Sequence, residues 1–346
     1  MKAYRRLNAG SAAGLTTVPV PRPGPGEVLL RVGAAGVCGT DLELLRATAP
    51  FTRAVTLGHE NAGWVDAAGP GVDDLETGQA VLVSCVRFCG DCAFCRTGAE
   101  NHCASFGARG ITEDGGFAEY MIADRRQLVT LKTLSPTEAA PLADAGLSAY
   151  HAVTSAIRHA HGAETMVIVG VGGLGGFAVQ YAKAVSGVRV VAIDRNSQRL
   201  RTALELGAAQ ALHGDEDWPD AIDGADAVVD FVGTDATLAA AVNVVRPGGA
   251  IVVAGRGGGI LPFGRELVPP GVALLSSRGG TMRDLEDVVR LAESGVCRAS
   301  VEEFALEDIA TALHRLAEGT LGARAVITFP TPAKPLPWAV RDQAPR

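Results

Sequence analysis

Four cysteines lie within one short segment of the chain. Cys89, Cys92, Cys95 and Cys103 follow the spacing C-x2-C-x2-C-x7-C. Thiolates at such short intervals favour one tetrahedral zinc ion, whose closed ligand shell leaves no open position for chemistry and stabilises the loop that carries it. A disulfide pair is the alternative, which a reducing cytoplasm would disfavour. We therefore predict that segment 85–105 is a structural zinc lobe.

A second group of residues could hold a metal that takes part in catalysis. Cys38 begins a CGTD segment, and His59 lies in a GHE segment in which Glu60 follows it. A catalytic zinc ion has three protein ligands and one open position, and a thiolate with an imidazole supplies two of the three. The spacing alone does not identify the third ligand. The other two cysteines, Cys85 and Cys297, stand in no recognisable motif.

A glycine-rich segment, GVGGLG, stands between a predicted strand and a predicted helix. It contributes five residues to a predicted dinucleotide site: Gly170, Gly172, Gly173, Leu174 and Gly175. In the pattern G-x-G-x-x-G the first glycine permits a tight turn, and the second lets the backbone approach a pyrophosphate. The third lets the helix pack closely while its N-terminus faces the phosphates. A glycine-rich turn without a nucleotide is the alternative.

The next predicted strand ends in an acidic residue that indicates which nucleotide binds. Asp194 stands nineteen residues after Gly175, where a carboxylate can accept hydrogen bonds from the hydroxyls of an adenosine ribose. A 2′-phosphate would be repelled there, so the sequence favours NAD over NADP. Arg195 follows directly and leaves some use of NADP open, and we also assign Arg199 to the cofactor site.

The elements that must position these residues show two different sequence patterns. Up to about residue 145, glycine, proline and short β-branched runs such as 27–32 and 79–83 indicate many short strands with tight turns. Beyond it, predicted helices alternate with buried strand runs at 166–169, 188–193, 227–232, 250–254 and 272–275. That alternation predicts an α/β architecture with a parallel sheet covered by helices on both faces.

The last part of the chain has a mixed pattern. Predicted helices at 283–294 and 306–318 alternate with predicted strands at 301–304 and 323–329. The proline-rich tail, 330–346, has little to pack and is predicted to run along the surface.

Composition excludes several classes of function. The chain has 346 residues, of which 47% are hydrophobic and 20% are charged. This length is enough for two domains. A formal net charge of −7 with no basic cluster argues against a nucleic-acid partner. No apolar run reaches the roughly 18 to 20 residues of a membrane helix, and the N-terminus lacks an apolar signal core. We expect a cytoplasmic enzyme with no membrane partner.

The order of these motifs along the chain resembles one enzyme family. CGTD, GHE, the four-cysteine lobe, GGFAEY, PLADAGLSAY and GVGGLG follow one another as in the zinc-containing medium-chain alcohol dehydrogenases. The segment PLADAG is also similar to that of actinobacterial NAD-dependent secondary alcohol dehydrogenases. The resemblance implies a GroES-like β-rich catalytic domain over residues 1–147 and a Rossmann coenzyme domain, a doubly wound parallel sheet, over 148–283. It further implies that 284–346 returns to the catalytic domain.

The resemblance also implies a ligand set for a catalytic zinc ion. The family's ligands correspond to Cys38, His59 and Asp144, where Asp144 replaces a more usual cysteine. Glu60 corresponds to a glutamate that lies close to the metal and can ligate it transiently. A helix N-cap is the alternative role for Asp144, in which case water or Glu60 would complete the shell.

Further site residues follow from the same resemblance. Thr40 corresponds to the hydroxyl that binds the substrate oxygen and begins a proton relay, although a turn-capping role is the alternative. Many relatives carry a histidine at the solvent end of that relay, where this chain has Glu43. Asp41 is interpreted as a cap of the following helix. Arg278 corresponds to a position that borders the nicotinamide and the substrate, and its alternative is to face solvent or a cofactor phosphate.

The implied reaction is hydride transfer between NAD(H) and a secondary alcohol or ketone, with two zinc ions per chain. Glu43 and Arg278 point to a substrate with an additional polar group. The alternative within enzymes is a polyol, sugar or amino-alcohol dehydrogenase of the same family, and the alternative outside them is a nucleotide-binding protein without catalysis. The resemblance also implies a homodimer or homotetramer.

Overall fold

The computed structural model describes residues 1–6, 13–46, 54–216 and 218–330. Its strands, numbered along the chain, are β1 (Lys2–Arg6), β2 (Gly14–Thr17), β3 (Glu27–Gly36), β4 (Val55–Thr56), β5 (Glu60–Ala68), β6 (Ala80–Val83), β7 (Val86–Arg87), β8 (Gly107–Ala108), β9 (Tyr120–Asp124), β10 (Leu128–Thr130), β11 (Thr165–Val169), β12 (Arg189–Asp194), β13 (Gln210–His213), β14 (Ala225–Asp230), β15 (Val245–Val253), β16 (Ala273–Ser276), β17 (Val301–Ala305) and β18 (Arg324–Thr328).

The α-helices, numbered in the same way, are α1 (Gly39–Arg46), α2 (Ala93–Arg96), α3 (Pro136–Ala139), α4 (Ala145–His159), α5 (Gly175–Ser186), α6 (Ser197–Glu205), α7 (Trp218–Ala221), α8 (Asp235–Val244), α9 (Met282–Glu293) and α10 (Ile309–Glu318). Short 3-10 turns occupy Glu100–His102, Arg125–Gln127, Ala140–Ala143 and Leu306–Asp308.

The chain forms two compact units. The first comprises the described residues of Met1–Asp144, Thr281–Glu293 and Arg298–Arg346, and the second comprises those of Ala145–Gly280 and Ser294–Cys297.

Three sheets build the first unit. The largest has the strand order β10-β6-β5-β3-β18-β17, with β9 also paired to β3. Strand β3 lies centrally in this sheet. Nearly all of its residues are buried, as expected from its run of valine, leucine and alanine. The smaller sheets are β2-β1-β4 and the hairpin β7-β8, from which the four-cysteine segment extends.

One parallel sheet of six strands forms the second unit, in the order β13-β12-β11-β14-β15-β16. Its central strands β11, β12 and β14 are buried runs of β-branched and small residues, as expected of a sheet covered on both faces. The strand order reverses between β12-β11 and β14, which is the topological switch point where such sheets bind ligands.

The fold class predicted from the sequence is confirmed. Every strand predicted over the described residues is present, with ends that differ from the predicted ones by at most five residues. The helix predicted at 306–318 instead begins with a 3-10 turn, and its regular part is α10. The predicted surface course of the tail falls, apart from Pro330, outside the described residues. Within the described part of the chain, no helix has both the length and the apolar character needed to cross a membrane.

Candidate active site

The four cysteines of the predicted zinc lobe converge in the first unit. Cys89 Sγ lies 3.9 Å from Cys95 Sγ and 3.6 Å from Cys103 Sγ, and Cys92 Sγ lies 3.5 Å from Cys95 Sγ. None of the seven cysteines forms a disulfide in the structure, and these sulfur separations are too long for an S–S bond.

The sulfur separations of this cluster suit zinc. Zinc–sulfur bonds of about 2.3 Å in a tetrahedron place two sulfurs about 3.8 Å apart, close to the observed separations. Backbone N–H groups point at the sulfurs, as Cys92 N does toward Cys89 Sγ at 3.4 Å. Hydrogen bonds from the backbone, chiefly that of Ala104, lower the pKa of Cys92 to about 6. The thiolate form that binds a metal is thus favoured at Cys92, whereas burial raises the pKa of Cys95 to about 12.

A second cluster lies in the interior of the same unit. Cys38, His59, Glu60 and Asp144 each place a ligand atom within 4.8 Å of the others. Cys38 stands between β3 and α1, His59 directly precedes β5, and Asp144 follows the 3-10 turn Ala140–Ala143. Residues far apart in the sequence therefore meet because β3 and β5 are neighbours and the turn packs against both.

His59 is held between two carboxylates. Its Nδ1 lies 3.4 Å from Asp41 Oδ1, and its Nε2 lies 3.4 Å from Asp144 Oδ2. Burial disfavours the charged ring, but Asp41 and Asp144 outweigh it and raise the pKa of His59 well above the usual value. Two tetrahedral zinc ligands at about 2.1 Å stand about 3.4 Å apart. The separation between His59 Nε2 and Asp144 thus fits an ion between them.

Glu60 faces a buried guanidinium. Arg324 Nε donates to Glu60 Oε2 at 2.9 Å, and Arg324 Nη2 donates to Glu60 Oε1. Burial lowers the pKa of Arg324, but the Glu60 carboxylate outweighs that effect and raises it above its usual value. A carboxylate paired in this way on both oxygens has less capacity to bind a metal at the same time.

Asp144 uses its two oxygens differently. Oδ2 faces His59, whereas Oδ1 lies 3.5 Å from Cys85 Sγ. Burial, followed by the charge of Asp144, raises the pKa of the Cys85 thiol well above its usual value. Cys85 therefore remains a protonated thiol that can donate a hydrogen bond to this carboxylate.

The two predicted relay residues lie on α1. Cys38 Sγ lies 4.0 Å from Thr40 Oγ1, so the hydroxyl is beside this second cluster. Glu43, one turn further along, is exposed. Asp41 lies within the helix, where its Oδ2 accepts a hydrogen bond from Cys38 N at 2.9 Å. Its other oxygen faces His59, so the sequence-based interpretation of Asp41 as a cap alone was incomplete.

The glycine-rich segment of the second unit lines a cavity of about 890 Å³. Eight of the nine predicted cofactor residues line it: Gly170, Gly172, Gly173, Leu174, Gly175, Asp194, Arg195 and Arg199. Gly170 has a φ of 82°, a conformation that favours glycine. A Cβ atom on Gly175 would lie 2.1 Å from the carbonyl oxygen of Gly170, so only glycine fits at this contact.

The carboxylate of Asp194 is fixed at the end of β12. Val171 N donates to Asp194 Oδ2 at 3.0 Å, and Asn196 N donates to Asp194 Oδ1 at 2.9 Å. Arg199 Nη1 lies 3.8 Å from Oδ2. The remaining predicted residue, Arg278, follows β16, is exposed and is not among the residues that line this cavity.

Comparisons with known proteins place these two units in a family. Residues 24–133 match the alcohol dehydrogenase GroES-like domain, and residues 173–294 match the zinc-binding dehydrogenase domain. The chain is 37% identical to the D-arabinose 1-dehydrogenase (NADP(+)) of Saccharolobus solfataricus, over 90% of this chain and 93% of that protein. The chain belongs to the zinc-containing medium-chain alcohol dehydrogenase family.

Two further similarities agree with this membership. An NAD-dependent alcohol dehydrogenase of Sulfolobus acidocaldarius is 33% identical, over 94% of this chain and 99% of that protein. The crystal structure of the alcohol dehydrogenase from Aeropyrum pernix superposes with a TM-score of 0.86 at 33% identity, covering 95% of this chain and all of that one. As a medium-chain alcohol dehydrogenase, the chain is a zinc- and NAD-dependent oxidoreductase that acts on CH–OH groups.

Sequence reasoning missed three residues of this alcohol dehydrogenase site. The contact of Asp41 with His59 could have been anticipated, because metal-binding histidines usually face a carboxylate with their second nitrogen. No sequence pattern indicated the contact of Arg324 with Glu60, because the two residues are 264 positions apart in the chain. Cys85 was set aside because it stands in no motif, yet the fold places its thiol beside Asp144.

Proposed function

We propose that this chain transfers a hydride between NAD(H) and a secondary alcohol or ketone that carries an additional polar group. The observation that carries the proposal is the set of donor atoms on the buried Cys38 and His59 and the partly buried Asp144, which lie within 4.8 Å of one another. These are a thiolate, an imidazole and a carboxylate, which together suit zinc with one position left for the substrate.

Each residue of the set has a proposed part. Cys38, His59 and Asp144 hold the ion, and their two negative charges balance its charge. Glu60 remains a neighbour that pairs with Arg324. Zinc, when bound, supplies Lewis acidity toward the substrate oxygen, more strongly with a carboxylate than with a second thiolate, while NAD supplies the hydride acceptor.

The proton that leaves the alcohol needs a path to solvent. Thr40 lies beside Cys38 and has a hydroxyl that can both accept and donate a proton, so we propose that it binds the substrate oxygen. Glu43 is exposed on the same helix and is the proposed solvent end of the path. A carboxylate can receive such a proton and release it to water.

The cofactor preference is proposed from charge. Asp194 lies in the cavity with its carboxylate held by two backbone N–H groups, so it cannot easily move away from a 2′-phosphate. Arg195 and Arg199 also line the cavity and offset part of this repulsion. We propose a preference for NAD with measurable use of NADP.

A second candidate is a sugar or polyol dehydrogenase. The observation that favours it is the 37% identity to a D-arabinose 1-dehydrogenase over 90% of the chain. The exposed Glu43 and Arg278 would suit a substrate with several hydroxyls under either candidate. Similarity to actinobacterial secondary alcohol dehydrogenases rests on the PLADAG segment alone and stays a prediction, as do a cytoplasmic location and a homodimer or homotetramer.

Initial rates of NAD reduction test the proposal. The purified, zinc-loaded protein is assayed on 2-alkanols, hydroxyl-bearing secondary alcohols, polyols and aldoses, with NADP in parallel. The highest kcat/KM is expected on secondary alcohols that carry one further polar group. A maximum on aldoses would favour the second candidate, and a maximum on unsubstituted 2-alkanols would contradict the role of the polar group.

Metal content tests the two proposed zinc sites. We expect about two zinc ions per chain in the intact protein and about one in both Cys92→Ser and Asp144→Ala. Activity should be lost in Asp144→Ala, while Cys92→Ser should retain the zinc of the active site. Two zinc ions in Asp144→Ala would exclude Asp144 as a required ligand.

A further inference from the structure

The side chain of Cys85 is buried and its backbone is fixed on both sides. It lies between β6 and β7 and is 7% exposed. Its carbonyl oxygen accepts a hydrogen bond from Arg109 N at 3.1 Å, and the preceding Ser84 N donates to Gln127 O at 2.8 Å. The backbone therefore fixes the direction of the Cα–Cβ bond of Cys85, and burial limits the rotation of its thiol.

The thiol meets one particular oxygen of Asp144. Cys85 Sγ lies 3.5 Å from Oδ1, within the range of an S–H to oxygen hydrogen bond. The other oxygen, Oδ2, is the one that faces His59 Nε2 at 3.4 Å. The carboxylate thus has one oxygen toward the metal-binding cluster and one toward the thiol.

Cys85 does not belong to the cluster itself. The residues whose ligand atoms all lie within 4.8 Å of one another are Cys38, His59, Glu60 and Asp144. Cys85 therefore contacts a member of the ligand set rather than adding a donor to it.

A carboxylate ligand needs an orienting partner more than a thiolate does. A thiolate offers a single donor atom, whereas a carboxylate can bind through either oxygen or both, and it can rotate between these modes. A hydrogen-bond donor on one oxygen leaves the other as the ligand and fixes the plane of the group. This need arises because the chain has an aspartate at position 144.

We propose that Cys85 is a positioning residue for the active-site metal: its thiol donates to Asp144 Oδ1 and so presents Oδ2 to the ion. This inference rests on the proposed function, because it requires Asp144 to be a ligand. In this role Cys85 acts through the carboxylate of Asp144.

Metal affinity of the full-length protein tests the proposal. Zinc affinity of the active-site cluster is measured by chelator competition, under reducing conditions, for Cys85→Ala, Cys85→Ser and Cys297→Ala. We expect Cys85→Ala to weaken it about 10- to 100-fold, as loss of an orienting partner does elsewhere. Cys85→Ser retains a donor and is expected to stay within about threefold of the original. Cys297→Ala removes a buried thiol from the other unit and should change nothing.

A second background separates positioning from general packing. In Asp144→Cys the ligand has one donor atom and needs no orienting partner. Adding Cys85→Ala to that background should alter zinc affinity less than about threefold. An equal loss in both backgrounds, or unchanged affinity in Cys85→Ala alone, would overturn the proposal.

Cobalt substitution distinguishes a positioning residue from a ligand. With cobalt added until both sites are saturated, thiolate-to-cobalt charge-transfer absorption should be the same in Cys85→Ala as in the original protein, because the four-cysteine lobe and Cys38 contribute equally to both. A decrease would identify Cys85 as a ligand and overturn the proposal. If Asp144→Ala keeps full metal affinity, the ligand set of the proposed function fails. If Asp144→Ala weakens zinc binding and Cys85→Ala does not, the proposed ligand set stands and only the proposed role of Cys85 fails.

Discussion

Individual side chains of this site are tuned by the groups that face them. His59 lies between Asp41 and Asp144, each 3.4 Å from one ring nitrogen. Asp41 orients the ring, and Asp144 belongs with His59 to the candidate metal cluster. Such a second carboxylate fixes the tautomer of a metal-binding histidine and strengthens it as a ligand. The same carboxylates also favour a proton on the ring, so that a proton competes with a metal ion.

Zinc affinity should therefore depend on pH through His59. Its pKa in the zinc-free fold is raised well above 6.5, so the charged ring stabilises that fold below pH 6.5, and this contribution is lost as the pH rises through the raised pKa. Because zinc needs the neutral ring, its affinity should rise about tenfold per pH unit from this proton, and should continue to do so above pH 6.5.

Chelator competition between pH 6 and pH 9 measures this dependence. His59→Gln is the control, and its plot of log affinity against pH should be less steep by about one unit over the same interval. Equal slopes in the two proteins would show that His59 releases no proton on metal binding.

Cofactor choice is also decided at the scale of one residue. Asp194→Ser removes the negative charge while keeping a side chain that can accept from Val171 N. We expect the ratio of kcat/KM for NADP to that for NAD to rise about 10- to 100-fold, which is about 1.4–2.8 kcal/mol. Steady-state rates with both cofactors measure it, and Asp220→Ser, an exposed position outside the residues lining the cavity, is the control. An unchanged ratio would contradict the role of Asp194.

At the scale of elements, the turn from β11 into α5 prepares the second unit for a dinucleotide. The turn brings the helix N-terminus to the edge of the cavity, and the close approach of Gly175 to Gly170 allows the helix to pack there. The glycines of this turn differ in what surrounds them. A Cβ on Gly172 would lie 3.6 Å from Arg199, and one on Gly176 would lie 3.5 Å from Leu206, both ordinary contacts.

Alanine substitutions should therefore have three different effects. Gly175→Ala meets backbone and should lower the free energy of unfolding by about 1–3 kcal/mol. Gly172→Ala should leave stability within about 0.5 kcal/mol but weaken NAD binding, because its methyl group occupies the path of the pyrophosphate. Gly176→Ala, the control, should change NAD binding little. Chemical unfolding and NAD titration measure these effects, and equal stability of Gly175→Ala and Gly172→Ala would contradict this account.

At the scale of the whole molecule, the C-terminal part of the chain completes the first unit. Strand β18 pairs with β3 in an antiparallel register that joins Val326 to Gly36. It also brings Arg324 to Glu60, whose side chain is fully buried, while that of Arg324 is 10% exposed. The candidate metal cluster therefore depends on residues from both ends of the sequence. Along the chain, the residues of the second unit lie between Glu60 and Arg324.

Breaking this ion pair should destabilise the fold strongly. Arg324→Met leaves the buried carboxylate of Glu60 without its guanidinium, and we expect a loss of about 3–5 kcal/mol in the free energy of unfolding. Adding Glu60→Gln should recover part of it, because the double variant no longer buries an isolated charge. Urea unfolding of the zinc-loaded proteins measures both. A double variant less stable than Arg324→Met would contradict the pairing.

The sequence by itself determined the architecture and the main chemistry. Runs of β-branched residues and the alternation of strands with helices indicated the strands of both units, since these patterns depend on local spacing. The cysteine cluster and the glycine-rich turn could be located for the same reason, because their residues are close together in the chain. Cys38 and His59 could be proposed as metal ligands from their residue types, whereas Asp144 could be named only through the order of motifs that resembles a known family.

Only the tertiary structure decided which side chains orient those residues. Cys85, Asp41 and Arg324 contact Asp144, His59 and Glu60, and none of these contacts follows from a motif. Arg324 reaches Glu60 because β18 pairs with β3, and Cys85 reaches Asp144 because a turn packs against β5 and β6. Such contacts depend on strand order and packing across long stretches of chain, which local spacing and composition do not specify.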